Sequence, residues 1–215
     1  MFDDDAGWIA VPGVVAADAA RALVEACDDL IGALADPDDP TVGVPGDRPV
    51  GGTLHLAEVD RRIEAIRSIM EHPGIAAAVD HLLGEPGIVG DVAYRNPQPG
   101  HGGQQLHADA VPQPTADAAT TTVTAIVALV DFTPHNGATR IVPGSHRRPD
   151  LQRRAGSLPA HPDELLLTGP AGTAFVFSGH LLHSGTVNRS GAPRPALQMT
   201  WRRRGAAVSA ETSVQ

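Results

Sequence analysis

The sequence is organised around the stretch Gln105-Leu106-His107-Ala108-Asp109. If this stretch is a short β-strand, His107 and Asp109 point to the same face, because strand side chains alternate with a period of two. An imidazole nitrogen and a carboxylate oxygen that lie side by side can occupy two neighbouring positions on a divalent metal. One further histidine would complete the set of two histidines and one carboxylate that holds iron(II) and leaves coordination positions open. The stretch therefore predicts a metal centre of this kind.

A second pair with the same spacing, His161-Pro162-Asp163, competes for this role. With 10 histidines and 18 aspartates in 215 residues, about one such pair is expected by chance. Pro162 lies in a segment typical of a loop, and Asp163 precedes His183 by only 20 residues. That separation is too short for the two residues to lie across a sandwich in the required order. We therefore predict that His107 and Asp109 form the metal-binding pair.

Length and composition favour one globular domain over residues 1–215. The net charge of −9 argues against a nucleic-acid partner, because the phosphates would be repelled. No apolar run reaches the roughly 18 residues needed to cross a bilayer, so no membrane partner is expected. All 16 basic residues are arginines, so any buried carboxylate of a ligand must be bound by arginine.

The N-terminal residues and the cysteine content favour an intracellular, cytoplasmic protein. The first five residues, Met1-Phe2-Asp3-Asp4-Asp5, are acidic where a secretory signal would be basic. Cys27 is the single cysteine, which excludes an internal disulfide and a cysteine-rich metal site. Cys27 also lies on the apolar stripe of a predicted helix, which indicates a buried hydrophobic residue and not a nucleophile.

Residues 1–86 are predicted to form a helical support region. A first helix follows Asp18, a candidate N-cap, and has apolar residues at the i, i+3, i+4 spacing through Leu34. Further helices are predicted over 59–70 and from Pro73 to a stop at Gly84. Between them, residues 36–52 are rich in Pro, Gly and Asp, which indicates a long loop.

From Gly87 onward the sequence changes to short β-rich runs separated by turn residues. The predicted strands are Ile88–Arg95, Gln104–Ala110, Thr121–Asp131, Ala138–Val142, Thr173–Ser178, His183–Val187 and Pro195–Arg203. Strands at this spacing are typical of a sandwich or jelly roll. We therefore predict a mainly β fold with N-terminal helices, in which residues 87–204 form a cupin-like double-stranded β-helix and residues 205–215 a polar tail.

The second histidine of the metal centre is predicted to be His183. His180 and His183 are three residues apart, so on a strand they would face opposite ways and only one would reach the metal. Arg194 follows His183 by eleven residues, past the turn 188–193, at the start of the last predicted strand. Antiparallel pairing would bring Arg194 back beside His183, where a guanidinium suits a dicarboxylate that also chelates the metal.

These residues, together with the string Asn136-Gly137-Ala138-Thr139-Arg140-Ile141-Val142-Pro143-Gly144-Ser145-His146, resemble the phytanoyl-CoA dioxygenase family of iron(II)/2-oxoglutarate oxygenases. The resemblance runs from about Tyr94 to Trp201. It implies that His107, Asp109 and His183 bind iron(II) and that Arg194 binds the distal carboxylate of 2-oxoglutarate, with O2 as the oxidant. Gln105 and Thr139 resemble positions that contact this cosubstrate in some relatives.

Two features depart from the family pattern. Family members often carry Ser two residues after the distal histidine, where this chain has Gly185, with Ser184 beside it. The chain is also short for the family, so we expect a trimmed substrate lid.

Related halogenases replace the metal-binding carboxylate with a small residue, and Asp109 therefore argues against halogenation.

The resemblance implies oxidation of a small-molecule substrate, by hydroxylation or by desaturation, ring closure or epoxidation. From the acidic composition we expect a small neutral or cationic metabolite, for example in natural-product biosynthesis; oligomeric state is left open. Two alternatives stay open. One is a cupin-like metal enzyme that does not use 2-oxoglutarate, for which Arg194 would have no purpose. The other is a non-catalytic binding protein on the same fold, since fold does not fix function.

Overall fold

The computed structural model describes residues 5–34, 52–154, 156 and 160–206 of the chain. In chain order its elements are β1 (Trp8–Val11), α1 (Ala17–Leu34), β2 (Thr53–Ala57), α2 (Val59–Arg62), α3 (Ala65–Met70), α4 (Pro73–Leu83), β3 (Ile88–Pro97), β4 (Thr122–Ala128), β5 (Thr139–Ile141), a 3₁₀ turn (Ser145–Arg147), α5 (Pro149–Gln152), β6 (Leu165–Leu166), β7 (Ala174–Ser178), β8 (His183–Gly185) and β9 (Ala196–Arg202). None of the described helices has the length and apolar character that crossing a membrane requires.

The strands form two antiparallel sheets. The large sheet has six strands in the order β1-β7-β4-β9-β3-β2, and the small sheet has three in the order β6-β5-β8. Residues of both sheets share one buried cluster, which includes Ile141 of β5, Phe177 of β7 and Ala196 of β9. The two sheets therefore face each other across an apolar interior, as the predicted mainly β fold requires.

The large sheet is buried on both faces, and β4 shows the division. Val123, Ala125 and Val127 pack with α1, α3 and α4 in the main hydrophobic cluster. The alternating residues, among them Thr124 and Ala128, face the small sheet, and Ala128 belongs to the cluster between the sheets. A β4 side chain that faces the small sheet therefore lies in the space where a site can form.

The N-terminal helices agree with the sequence analysis except in detail. Asp18 lies in the first turn of α1 and is not its cap, because the N–H of Ala20 bonds to Ala16 O. The predicted helix 59–70 is two helices, because Ile63 adopts an extended conformation between them. The last helix, α4, begins at Pro73 and ends at Gly84, as predicted.

The N-terminal region also contributes two strands that the sequence analysis did not predict. Trp8–Val11 pairs with β7, and Thr53–Ala57 pairs with β3, so both edges of the large sheet come from residues 1–86. The predicted loop 36–52, apart from Gly52, lies outside the described residues, as does the tail beyond residue 206.

The predicted strand Gln104–Ala110 is wrong. Within this segment the structure has a single β-bridge, between His107 and His183, and no continuous ladder. Beyond the bridge the segment turns away, so that Asp109 reaches the hydroxyl of Thr124 on the opposite sheet.

Gly172 provides a test of how the N-terminal segment is docked. Its carbonyl accepts a hydrogen bond from the N–H of Val14, and a Cβ at position 172 would lie 1.9 Å from Val15 O. We expect Gly172→Ala to lower the free energy of unfolding by about 3 kcal/mol, measured by urea denaturation.

Gly13→Ala is the matched control, because Gly13 also has a positive φ, +70°, but no atom lies within 4 Å of its Cβ position. It should cost only about 1 kcal/mol, the price of the left-handed conformation. Equal losses in the two variants would show that the contact with Val15 contributes nothing.

Candidate metal centre

Two histidines and one aspartate converge in the space between the sheets. Asp109 Oδ1 lies 3.4 Å from His183 Nε2 and 3.9 Å from His107 Nε2. One ligand atom from each of the three residues lies within 4.8 Å of the other two. Among the described residues, no other group of three or more His, Cys, Asp or Glu side chains comes this close together. The structure thus brings together the three residues that the sequence analysis selected.

The backbone holds the two histidines side by side. The N–H of His107 donates to His183 O and the N–H of His183 donates to His107 O, both at 2.9 Å. The imidazole rings therefore lie next to each other, with centroids 4.5 Å apart. This reciprocal pair of hydrogen bonds joins the irregular segment that carries His107 and Asp109 to strand β8.

Both imidazoles have their Nδ1 atoms engaged by the backbone. His107 Nδ1 lies 2.9 Å from Gln105 O, and His183 Nδ1 lies 2.9 Å from Leu181 O. A carbonyl oxygen only accepts, so Nδ1 carries the hydrogen and the lone pair of the neutral ring is on Nε2. Each ring therefore presents a coordinating nitrogen to the site in a fixed orientation, as metal-binding histidines do.

Asp109 is held ionised by its neighbours. Burial raises the pKa of its carboxyl, but the attraction and hydrogen bond of His183 and the hydrogen bond of Thr124 outweigh burial and leave the pKa below its usual range. The Thr124 hydroxyl donates to Oδ2 at 2.6 Å. Oδ1 is thus the oxygen left for a metal, and it is the atom near both histidines.

The two histidines differ in their titration. Burial, with a smaller contribution from His183, lowers the pKa of His107 to about 4. Burial also disfavours the charged form of His183, but Asp109 more than compensates, and the pKa of His183 is raised. His107 is neutral at physiological pH and therefore ready to bind a cation.

Apolar side chains pack on both faces of the segments that carry the two histidines. On the side of the site, the ring of Phe177 lies 4.8 Å from that of His183, centroid to centroid. On the opposite face, Leu106 and Leu182, the neighbours of the two histidines in sequence, are fully buried in a separate cluster with Val142. His183 is therefore 5% exposed.

Arg194 lies in the same interior, two residues before β9. Its guanidinium carbon is 4.5 Å from the ring centroid of Phe132, and the side chain is 6% exposed. Burial and the charge of Arg95 lower its pKa to about 10, so it remains protonated. Its Nε is buried and, among the described residues, finds no acceptor. A buried cation in this state is costly without an anionic partner.

The remaining predicted residues occupy different places. Thr139 is buried on β5, two residues from Ile141 and on the same face, towards the interior. The side chain of Gln105 is exposed, and its carbonyl oxygen orients His107. Contact of either residue with a cosubstrate stays a prediction.

The departure at position 185 has a packing reason. A Cβ there would lie 2.4 Å from Gly102 O, so serine does not fit. Ser184 points away from the site, and its hydroxyl accepts a hydrogen bond from Arg140 Nε at 2.7 Å. Neither residue therefore replaces the family serine in the interior.

The competing histidines lie apart from the site. His161 and Asp163 approach each other to 3.8 Å, but Asp163 is largely exposed and no third ligand joins them among the described residues. His180 is buried elsewhere, with Nδ1 3.1 Å from Val111 O and Nε2 3.0 Å from Thr121 Oγ1. Of His180 and His183, it is therefore His183 that lies beside His107.

Two interior residues were missed by the sequence analysis, Thr124 and Arg95. Thr124 is fully buried and holds Asp109. Arg95 lies on β3 opposite Ala196 and donates to Gln198 Oε1 at 3.1 Å. The sequence signal for each residue was a polar side chain within an otherwise apolar strand. The sequence did not indicate which face of the sheet carries the site, so this signal could not be interpreted.

Removing the Thr124 hydroxyl should weaken metal binding. In Thr124→Val the shape is kept, but Oδ2 of Asp109 loses its donor, and we expect affinity for Co(II) to fall about 10- to 100-fold, measured by competition with a chelating dye. Thr124→Ser should restore most of the affinity. Equal affinities in wild type and Thr124→Val would contradict a role for this hydrogen bond.

His180 should make stability depend on pH. Burial lowers its pKa to about 4 from its ordinary value of 6.5, so protons bind the unfolded chain more readily. Stability from this group is complete above pH 6.5 and is lost as the pH falls towards 4, by up to about 1.4 kcal/mol per pH unit. Urea denaturation of the metal-free protein at pH 7 and pH 5 should therefore show a smaller loss for His180→Gln than for wild type. A loss of the same size in both proteins would refute this assignment.

Comparison with known proteins extends these observations. The chain matches the family model described as Phytanoyl-CoA dioxygenase (PhyH) over residues 4–196. Dioxygenase trt7 of Aspergillus terreus (strain NIH 2624 / FGSC A1156) is 35% identical over 162 residues, 69% of this chain and 54% of that protein. Dioxygenase olcK of Penicillium canescens is 30% identical over 159 residues, 69% of this chain and 51% of that protein. The chain thus spans about half the length of these curated relatives.

Solved structures support the fold. HygX from Streptomyces hygroscopicus, with nickel and 2-oxoglutarate bound, superposes with a TM-score of 0.73 at 14% identity, covering 94% of this chain and 84% of that one. The non-heme alpha ketoglutarate dependent carbocyclase SnoK from nogalamycin biosynthesis gives a TM-score of 0.69 at 21% identity, covering 93% and 80%. The predicted double-stranded β-helix is confirmed by these likenesses. The match to the family model over residues 4–196 shows that the chain belongs to the phytanoyl-CoA dioxygenase family.

Proposed function

We propose that this protein is an iron(II)- and 2-oxoglutarate-dependent oxygenase that oxidises a small organic metabolite. The observation that carries the proposal is the pairing of His107, Asp109 and His183 with Arg194 in one interior. Three metal ligands leave coordination positions open, and a buried guanidinium in the same space needs an anion. A dicarboxylate that chelates the metal at one end satisfies both requirements.

The ligand set fits iron(II). It comprises the Nε2 atoms of two imidazoles, whose Nδ1 atoms are held by Gln105 O and Leu181 O, and one carboxylate oxygen. A bound metal would displace the proton that His183 Nε2 donates to Asp109. The chemistry of this donor set is that of the 2-His-1-carboxylate centres that hold non-heme iron(II). In the proposed assignment His107, Asp109 and His183 hold the metal.

Arg194 fits the distal carboxylate of 2-oxoglutarate. Its planar guanidinium can bind a carboxylate through two parallel hydrogen bonds, and Nε has no described acceptor that would compete. Phe132 packs against the guanidinium and leaves its edge for the ligand. Among the described residues, no carboxylate forms an ion pair with Arg194 in place of a ligand.

When bound, iron(II) and 2-oxoglutarate supply the activation of O2, coupled to loss of CO2 from the oxo acid and oxidation of the substrate. The chain's own residues bind, orient and exclude water. Thr124 fixes the carboxylate of Asp109, the backbone fixes both imidazoles, and Phe177 and the surrounding apolar residues keep bulk water away from the inner side.

The finer parts of the proposal concern substrate and location. The relatives named above are dioxygenases, and one solved structure belongs to a carbocyclase of nogalamycin biosynthesis. These names support a small natural-product metabolite as substrate, with hydroxylation, desaturation or ring closure as the outcome. The single cysteine, Cys27, is buried, which is compatible with the reducing cytoplasm that we propose as its location.

The two alternative functions are less well supported. A metal enzyme that does not use 2-oxoglutarate would leave the buried charge of Arg194 without a ligand. A non-catalytic binding protein would have no use for the fixed tautomers of His107 and His183. Both alternatives nevertheless predict different outcomes in a single binding experiment.

The test is anaerobic reconstitution with iron(II) followed by 2-oxoglutarate. We expect the weak visible charge-transfer absorption of the chelate in wild type and none in His107→Ala, because a ligand is lost. In Arg194→Gln the Kd for 2-oxoglutarate should rise about 30-fold or more, because truncation of a buried charge partner costs at least about 2 kcal/mol. Arg203→Gln, a change in an arginine that pairs with Glu85 at the surface, is the matched control and should bind normally.

Iron binding without the absorption band would reject 2-oxoglutarate and support a cosubstrate-independent metal enzyme. No iron binding at all would support the non-catalytic alternative. Normal binding of 2-oxoglutarate by Arg194→Gln would leave the cosubstrate in place and contradict the role given to Arg194.

A further inference from the structure

Arg95 is a second arginine in the interior, and the proposed function does not use it. It lies on β3 directly opposite Ala196 of β9, and paired residues on neighbouring strands share a face. Ala196 belongs to the cluster between the sheets, so Arg95 faces the metal centre. One of its terminal nitrogens donates to Gln198 Oε1, a neutral acceptor, at 3.1 Å.

Arg95 lies within electrostatic reach of the metal ligands. Its charge acts on His107 and His183, and that of Asp109 acts on Arg95. It is half-buried, whereas Arg194 is almost completely buried. Arg95 also lies on β3, next to the edge strand β2, while Arg194 lies two residues before the more central strand β9. Arg95 therefore faces the more accessible side of the site, near the metal ligands.

No described carboxylate forms an ion pair with Arg95. Six other described arginines each pair with an acidic side chain: Arg61, Arg140, Arg147, Arg148, Arg202 and Arg203. Arg95 and Arg194, the two that face the interior, have no such partner among the described residues. Arg194 is buried and Arg95 is half-buried, so an ionic partner supplied by a ligand is worth more at either residue than at a fully exposed arginine.

The cosubstrate forms an ion pair with only one of these two arginines in the proposed assignment. One carboxylate of 2-oxoglutarate goes to the metal and the other to Arg194 in the proposed assignment. The metal dication, Asp109 and the cosubstrate dianion, taken with both arginines, leave one positive charge in excess. A further anion near the metal ligands would neutralise it.

We propose that Arg95 binds a carboxylate of the primary substrate and so selects an anionic metabolite. This inference rests on the proposed function, because it assigns 2-oxoglutarate to Arg194. The free edge of the guanidinium offers paired donors to a carboxylate, while Gln198 holds its other side. The sequence analysis expected a neutral or cationic substrate from the net charge of −9, but the interior charge, not the overall charge, faces the substrate.

The experiment uses the full chain with Mn(II) in place of iron(II) and saturating 2-oxoglutarate. The probes are benzoate and benzamide, which share size and shape but differ in charge, and the readout is the relaxation of their ring protons by the bound Mn(II). We expect wild type to bind benzoate about tenfold more tightly than benzamide, and Arg95→Gln to lose that difference, as expected for a charge-assisted hydrogen bond.

Two controls separate a local effect from a loss of structure. Arg95→Lys keeps the positive charge and should retain part of the preference for benzoate. Arg202→Gln removes a surface arginine that pairs with Asp91 on the neighbouring strand, and it should behave as wild type. Each variant is also titrated with 2-oxoglutarate by calorimetry, and Arg95→Gln should change that Kd less than about threefold.

Two results would overturn the inference. One is equal binding of benzoate and benzamide by wild type, or a preference that survives in Arg95→Gln. The other is a loss of 2-oxoglutarate affinity in Arg95→Gln as large as in Arg194→Gln, which would assign Arg95 to the cosubstrate. If wild type fails to bind 2-oxoglutarate, the proposed function fails, and the benzoate comparison repeated without cosubstrate still decides the role of Arg95.

Discussion

The metal centre depends on two hydrogen bonds between the backbones of His107 and His183. His183 lies on a strand of the small sheet, but His107 lies on a segment with no continuous ladder, which this bridge and the bonds between Gln104 and Gly185 attach to β8. With only one bridge, the chain is free to turn immediately afterwards and carry Asp109 to Thr124 of the large sheet. The three ligands therefore meet because an irregular segment joins the two sheets at one residue.

Burial gives this arrangement its chemical character. Phe177 packs against His183, and the interior between the sheets is apolar, so charges there interact strongly. Asp109 has compensating neighbours within the protein, and its pKa stays low. Arg194 has an aromatic ring and no described anion, and Arg95 has a single amide oxygen. The protein thus supplies more interior cations than anions, as expected of a site that takes acidic ligands.

Local patterns in the sequence were sufficient to select the three residues that the structure groups as potential metal ligands, and to predict most of the fold. The His-x-Asp pair, the spacing to His183 and the alternating strands each depend on residues close together in the chain. The strand expected at 104–110 was wrong because its geometry is set by contacts distant in sequence, with Thr124 and with Gly185. The edge strands β1 and β2 were missed because they are short and pair with residues far along the chain. Arg194 was found because it follows His183 after a short turn, which is a local signal. Arg95 was missed because its position beside the metal ligands depends on the pairing of β3 with β9, which are distant in sequence.

The contrast between the exterior and the interior bears on how substrates are chosen. The chain is acidic overall, and many of its carboxylates lie at the surface, where several neutralise arginines. Surface charges of this kind are screened by salt within about 10 Å and contribute little to binding inside the fold. The interior has low polarity and few competing partners, so a single guanidinium there outweighs the distant negative charge. Net charge is therefore a poor guide to the substrate of such a site, and the balance of charged side chains that face the potential metal ligands is the better one.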